Sequence, residues 1–312
     1  MFKYISRRII TLVPVLIGVA FLIFAIMNLT PGDPALLILG EAATPEAVQA
    51  LREDLGLNDN FFVRFARYIY DAVTGDFGLS YRTRLPVIQE IATRFPNTVR
   101  LAFWAMTLAV CVGMPIGIIS AIKQYTLVDG LSLAAALLLT SMPAFWLGLL
   151  LMLQFSLRWH IFPSTGVDTW RNFVLPSITL GVGTMAILIR MTRGTMLEVI
   201  RQDYIRTARA KGANTKRIIT KHALRNALLP VITIIGIYFG GLIGGAMITE
   251  TVFAMPGLGT LMITSIRAKD TPVVMAAVLF IALLVGVINL LVDILYVFID
   301  PRIRSQYVKV KG

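Results

Sequence analysis

Six apolar runs, at roughly 9–29, 98–121, 131–156, 174–190, 231–250 and 274–299, decide what this chain can fold into. As a helix rising ~1.5 Å per residue, a run of about 20 residues crosses a ~30 Å hydrocarbon core. Inside that core every backbone N–H and C=O must find its partner within the protein, which leaves helices or a closed barrel. A barrel would show alternating segments of ~10 residues, and the sequence has none. The expectation is an all-α, polytopic membrane protein with six transmembrane helices. Only 15% of the 312 residues are charged, against roughly a quarter in soluble domains, so an ordinary soluble enzyme is excluded.

The net charge of +12 would suggest nucleic acid in a soluble protein, but here the basic residues stand beside the apolar runs. Lys and Arg favour the cytoplasmic side of a membrane. Eighteen of them lie at the N-terminus, at Lys123, in the 190–229 connection and after Ile299. Only Arg158, Arg171, Arg267 and Lys269 lie in the two short connections on the other side. Both termini are therefore expected in the cytoplasm, with lipid and not nucleic acid as the surrounding partner. Lys3, Arg7 and Arg8 precede a long run without a small-x-small cleavage site, which reads as a retained first helix and not a signal peptide. The single cysteine, Cys111, rules out an intramolecular disulfide and is expected as a buried apolar side chain.

Three segments follow: a cytoplasmic N-terminus with the first membrane helix (1–29), an extracytoplasmic helical domain (30–97), and a five-helix core (98–312) with a cytoplasmic loop at about 191–230. In the second segment, Thr44-Pro45-Glu46-Ala47 has the order of an N-cap, a first-turn proline and an acid, so a helix should start there and stop at Gly56. A second should run from about Asn60 to Val73 and end at Gly75. This small domain has no histidine and reads as a docking or lid element.

The 190–229 connection carries ten basic residues. Its helix formers are interrupted at Gly212 and expected to stop at Pro230, giving two short helices joined at Gly212-Ala213-Asn214. Gly212 can take the left-handed conformation that ends the first, and Asn214 or Thr215 can cap the second. Tyr204, Thr207, Ala208 and Lys211 share one face by i, i+3, i+4, i+7 spacing. Small Thr207 and Ala208 beside a large Tyr204 suit docking, while the basic charge equally suits anionic lipid headgroups.

Asp203-Tyr-Ile-Arg-Thr-Ala-Arg-Ala-Lys-Gly212, followed by His222-Ala-Leu-Arg-Asn-Ala-Leu-Leu-Pro230, resembles the cytoplasmic "EAA" loop of ABC-importer permease subunits. The form is that of the first permease subunit of dipeptide, oligopeptide and nickel systems. Aligned on Gly212, the chain departs from the general family pattern, with Arg206-Thr207-Ala208 in place of Glu-Ala-Ala. The similarity extends through Pro31-Gly32-Asp33-Pro34, Gly75-Asp76-Phe77-Gly78-Leu79-Ser80, Ser141-Met142-Pro143, Glu250 to Gly259, and Asp293 to Arg304. The resemblance implies a type I ABC-importer permease fold in the cytoplasmic membrane of a bacterium or archaeon, in which 203–212 is the coupling helix, seated in a cleft of a cytoplasmic ATPase. Asp203, Tyr204, Arg206, Thr207, Ala208, Arg209, Lys211 and Gly212 would form that contact. It also implies a second homologous permease, two ABC ATPase subunits and an extracytoplasmic solute-binding protein as partners. Small peptides are the first substrate implied, with glutathione and nickel chelates open.

Within the apolar runs, Gly236, Gly240 and Gly244, with Gly241 and Gly245 one step round, form small-xxx-small rows. They serve close packing against a neighbouring helix, in this chain or across a pathway shared with a partner. Glu250 is expected at the outer end of span five within reach of water, and Asp293 about two turns inside the end of span six; intramembrane acids need a partner or water. Pro115 and Pro143 mark kinks, and Pro256-Gly257-Leu258-Gly259 a turn that is either interfacial or aimed at the pathway.

No Gly-x-x-x-x-Gly-Lys-Ser/Thr loop occurs, so ATP and Mg²⁺ would be bound by partner subunits. Two histidines, His160 and His222, make no metal centre, and no nucleophile–base signature suggests an enzyme. The alternative to an importer subunit is an autonomous ion-coupled carrier or channel, which would want paired acids or a charge relay in mid-membrane.

Overall fold

The computed structural model describes residues 2–30, 32–40 and 42–299. Pro31, Glu41 and the segment from Asp300, including the basic C-terminal residues and the end of the Asp293–Arg304 motif, lie outside the described residues. In chain order the helices are α1 (Phe2–Leu29), α2 (Pro34–Leu39), α3 (Pro45–Asp54), α4 (Phe61–Thr74), α5 (Val87–Ile122), α6 (Leu127–Ser141) and α7 (Ala144–Leu151). After π-helical turns at Met152–Arg158 come α8 (Arg171–Ile200), α9 (Asp203–Ala210), α10 (Thr215–Arg217), α11 (Leu224–Val252), α12 (Leu258–Arg267) and α13 (Thr271–Ile299). Among the described residues the only strand-like pairing is an isolated bridge between Leu79 and Pro86.

Among the described residues, five stretches are long and apolar enough to cross a membrane, or six if the bent pair α6 and α7 counts as one. The kink expected at Pro143 is present in the third predicted span: 131–156 is two helices bent by 101° at Met142-Pro143. The reason is local. Proline lacks the N–H that would continue the ladder, and its ring drives the preceding residue out of helical space, so Met142 is extended at φ −84°, ψ 128°. Pro115 and Pro230, by contrast, sit inside continuous helices. Pro230 does not stop the second loop helix as expected. From Thr215 to Val252 the chain is a single helical stretch with π-helical turns at Ile218–Ala223. One missing N–H is tolerated there because the apolar environment that follows offers the backbone no partner outside the helix.

By contacts the chain divides into two units, Met1–Thr98 with Met255–Gly286, and Val99–Ala254 with Val287–Gly312. In the first, the expected caps are present. Thr44 accepts from the Ala47 N–H and Gly75 closes α4 in the left-handed conformation; Asn60, not expected as a cap, also accepts from the Phe62 N–H. A further short helix, α2, is capped by Asp33. Helix α4 packs on α1 through rings: Phe24 lies 5.1 Å from Phe61, 5.4 Å from Phe65 and 5.9 Å from Tyr68. Val87, Ile91, Leu258, Leu261, Val273 and Ala276 form a buried cluster of their own. Helix α5 begins at Val87, before the apolar run, and its early Glu90 accepts from the Thr83 hydroxyl. Asp270, buried, accepts from Ser80 Oγ and the Tyr81 N–H.

The second unit is built round α8, whose most apolar window is 72% buried. Val182, Met185, Ala186, Leu188 and Ile189 of α8 pack with Ala109, Ala136 and Val231. Helices α5 and α8 approach backbone to backbone: a Cβ on Gly181 would stand 2.6 Å from the Ala105 carbonyl oxygen, and one on Gly117 2.7 Å from that of Ile189. Gly181 therefore makes the shortest predicted span a central helix and does not interrupt it.

Candidate coupling site

Helix α9 forms where the sequence changes from the apolar face of α8 to Asp203-Tyr-Ile-Arg-Thr-Ala-Arg-Ala210, good helix formers with an acid in the first turn where the dipole favours it. Its end is chemically defined. Gly212 has φ +82°, the Gly212 N–H bonds the Arg209 carbonyl at 2.9 Å, and the Ala213 N–H bonds that of Ala208 at 3.1 Å. These two bonds are the Schellman closure that a residue with a Cβ resists. Asn214 then caps the next helix by accepting from the Arg217 N–H at 2.9 Å.

Two contacts attach α9 to the rest of the second unit, one through Ile205, which lies off the predicted face, and one through Tyr204, which belongs to it. Ile205 is fully buried with Met196, Ile218, Ala223 and Ala227. Tyr204 Oη accepts a hydrogen bond of 2.9 Å from Asn226 Nδ2 at the start of α11. With Ile205 turned inward, Asp203, Arg206, Thr207, Arg209 and Lys211 are exposed, Tyr204 is 43% exposed and Ala208 half-buried. The exposed Arg206–Asp203 pair at 3.6 Å contributes little by itself. Ile205 was legible as the one large apolar residue of an otherwise polar helix; Asn226 had no such signal.

Arg193, one of the ten basic residues expected in a solvated loop, is instead part of the core. Its Nε and Nη2 donate to the two carboxylate oxygens of buried Asp129 at 2.6 and 2.8 Å. Asp129 also accepts from Ser120 Oγ at 2.6 Å and the Tyr125 N–H at 3.0 Å. One carboxylate thus joins the end of α5, the turn after it, α6 and the part of α8 that leads to α9. An acid and an arginine each bordering an apolar run were the available signal.

The glycines of α11 divide between two environments. A Cβ on Gly236 would meet Val292 at 2.3 Å and Gly240 is buried, whereas Gly241, Gly244 and Gly245 are exposed with nothing within 4 Å of a Cβ. Glu250, expected near water, is buried, and Cys111, expected buried, is exposed on α5. Among the described residues no group of three or more His, Cys, Asp or Glu could hold a metal ion.

The fold defines a multi-span helical membrane protein that carries a short, exposed helix between two of its spans. Comparison narrows the class: the chain belongs to the family of binding-protein-dependent transport system inner membrane components, whose domain matches residues 113–305 while the family's N-terminal domain matches 1–102. It is 42% identical to the dipeptide transport system permease protein DppB of Alkalihalophilus pseudofirmus, over 97% of this chain and all of that one. It is 43% identical to the glutathione transport system permease protein GsiC of Escherichia coli K12, over 98% of this chain and all of that one. In fold it resembles a chain of the inward-facing MetNI methionine ABC transporter (TM-score 0.59, 19% identity, 68% of this chain and 97% of that one). A chain of an amino acid ABC transporter is also similar (TM-score 0.52, 15% identity, 69% and 94%). The expected type I permease fold and the kinship with dipeptide-type ABC permeases both hold, and the chain is a multi-pass membrane subunit of an importer.

Proposed function

We propose that this chain is the translocation subunit of an ATP-powered importer for di- and oligopeptides, and that α9 transmits closure of partner ATPases to α8 and α11. The observation that carries the coupling role is the mounting of α9: anchored by Ile205 and the Tyr204–Asn226 bond, it presents Arg206, Thr207 and Lys211 outward. A force on that face is delivered to both long helices between which it is suspended. The relatives' names supply the substrate class: dipeptides for one, glutathione, itself a small peptide, for the other.

In this reading a second homologous permease, two cytoplasmic ABC ATPases and an extracytoplasmic solute-binding protein complete the assembly. ATP and Mg²⁺ belong to the ATPases. The chain lies in the cytoplasmic membrane with both termini and α9 inside and the 30–97 segment outside, and the exposed Gly241, Gly244 and Gly245 allow another subunit's helix to come close. Alternation between inward- and outward-open states then requires α9 to bind the ATPases differently in each.

The test is Ala208→Glu in the complete importer reconstituted with its binding protein. A carboxylate pressed into an apolar docking cleft is costly, so uptake of dialanine and its stimulation of ATP hydrolysis should be lost while the subunits still assemble in the membrane. Unchanged uptake and unchanged stimulation would refute the coupling role.

A further inference from the structure

The first unit contains a cleft of about 560 Å³, within the range of small-ligand sites, roughly 300–1,000 Å³. Its charges do not cancel internally. Arg52 is paired with Asp33 at 2.8 Å and Arg67 with Asp59 at 2.7 Å. That leaves Arg64, Lys269 and Asp71 on the wall without an ion pair among the described residues. Arg64 stands over the Phe24 ring, 5.9 Å from its centre. Between Arg64 and Asp71, on the same face of α4 by their i, i+4, i+7 spacing, lies Tyr68, whose buried hydroxyl has no hydrogen-bond partner. Buried hydroxyls are rarely left so.

Two cations, one carboxylate and one hydroxyl around a single cleft match a ligand that carries an anionic group and an ammonium group together. We infer that this cleft binds a small zwitterion, with Arg64 and Lys269 holding its anionic end and Asp71 its ammonium. A short peptide has that chemistry, and so does the headgroup of an ethanolamine phospholipid. Burial pushes the Tyr68 phenol up to about 12, so at neutral pH it is a proton-bearing donor available to the anionic end. The peptide as source rests on the importer reading above; the zwitterion site does not.

The experiment uses the complete importer without its binding protein, in nanodiscs of phosphatidylglycerol, which has no ammonium. Labelled dialanine should bind saturably. Losing one charge-assisted contact in Asp71→Asn or Arg64→Gln should weaken binding about tenfold or more. N-acetyl-dialanine and dialanine amide, each lacking one charge, should lose as much. If dialanine does not bind, but ethanolamine phospholipid added to the discs co-purifies with the wild type and not with the variants, the site holds and its source is lipid. Absence of both, or binding unaltered in both variants, overturns the proposal. Uptake by the complete system is measured in parallel, so loss of the site with uptake intact leaves the importer reading standing.

Discussion

Arg193 and Asp129 face each other in a two-point, fork-to-carboxylate contact, Nε to Oδ1 at 2.6 Å and Nη2 to Oδ2 at 2.8 Å, with Asp129 buried and the Arg193 side chain 20% exposed. Asp129 lies in the first turn of α6 and Arg193 on α8, so the pair clamps the start of α6 to α8; a relay for a carried ion would be wanted in mid-membrane. Deleting one partner of a buried pair strands the other and costs about 3–5 kcal/mol. Asp129→Ala and Arg193→Ala should each sharply lower the melting temperature of the purified chain in detergent. The double variant should lose clearly less than the sum of the two; strict additivity would show that the pair carries no coupling.

Gly181 and Gly183 are two residues apart on α8 but differ in surroundings. A methyl on Gly181 collides with the Ala105 backbone, while one on Gly183 meets nothing within 4 Å. Backbone cannot rotate aside as a side chain can, so Gly181→Ala should destabilise by about 1–3 kcal/mol, the usual cost of overpacking. Gly183→Ala should be neutral or slightly stabilising. Equal melting temperatures for the two variants would contradict the close approach of α5 and α8.

At Gly212 the space round a Cβ is open, and the constraint is the backbone at φ +82°. An L-residue there costs about 1–2 kcal/mol, which the two-bond closure of α9 must absorb. Gly212→Ala should raise hydrogen exchange through 203–213 and reduce uptake, and Gly212→Asn, whose side chain tolerates the left-handed region, should do less of both. Identical exchange in all three proteins would refute the closure.

Tyr68 gives a pH-dependent signature. Burial raises its phenol from 10.0 to about 12, so the folded state holds the proton more tightly than the unfolded one. The contribution is fully present below pH 10 and lost as pH rises through about 12. Wild type should lose thermal stability across that interval more steeply than Tyr68→Phe; parallel curves would show that the phenol is not buried.

The apolar runs that become membrane helices, the caps at Thr44 and Asn214 and the glycine closures at Gly75 and Gly212 were legible in the chain, because each rests on interactions within a few residues and on the need to satisfy backbone groups locally. The face of α9 drawn from spacing was Tyr204, Thr207, Ala208 and Lys211; burial of Ile205 turns Asp203, Arg206, Thr207, Arg209 and Lys211 outward, leaves Ala208 half-buried and ties Tyr204 to Asn226. What tertiary structure alone decided were matters of partner. Pro115 and Pro230 sit inside continuous helices while Pro143 breaks its own, Arg193 is in the core and not at the surface, and Gly236 meets Val292 while Gly245 meets nothing. Asn226 finds Tyr204 across 22 residues, and Arg193 finds Asp129 across 64. Composition and periodicity state which residues seek a partner, and only the packing of distant helices determines which partner is within reach.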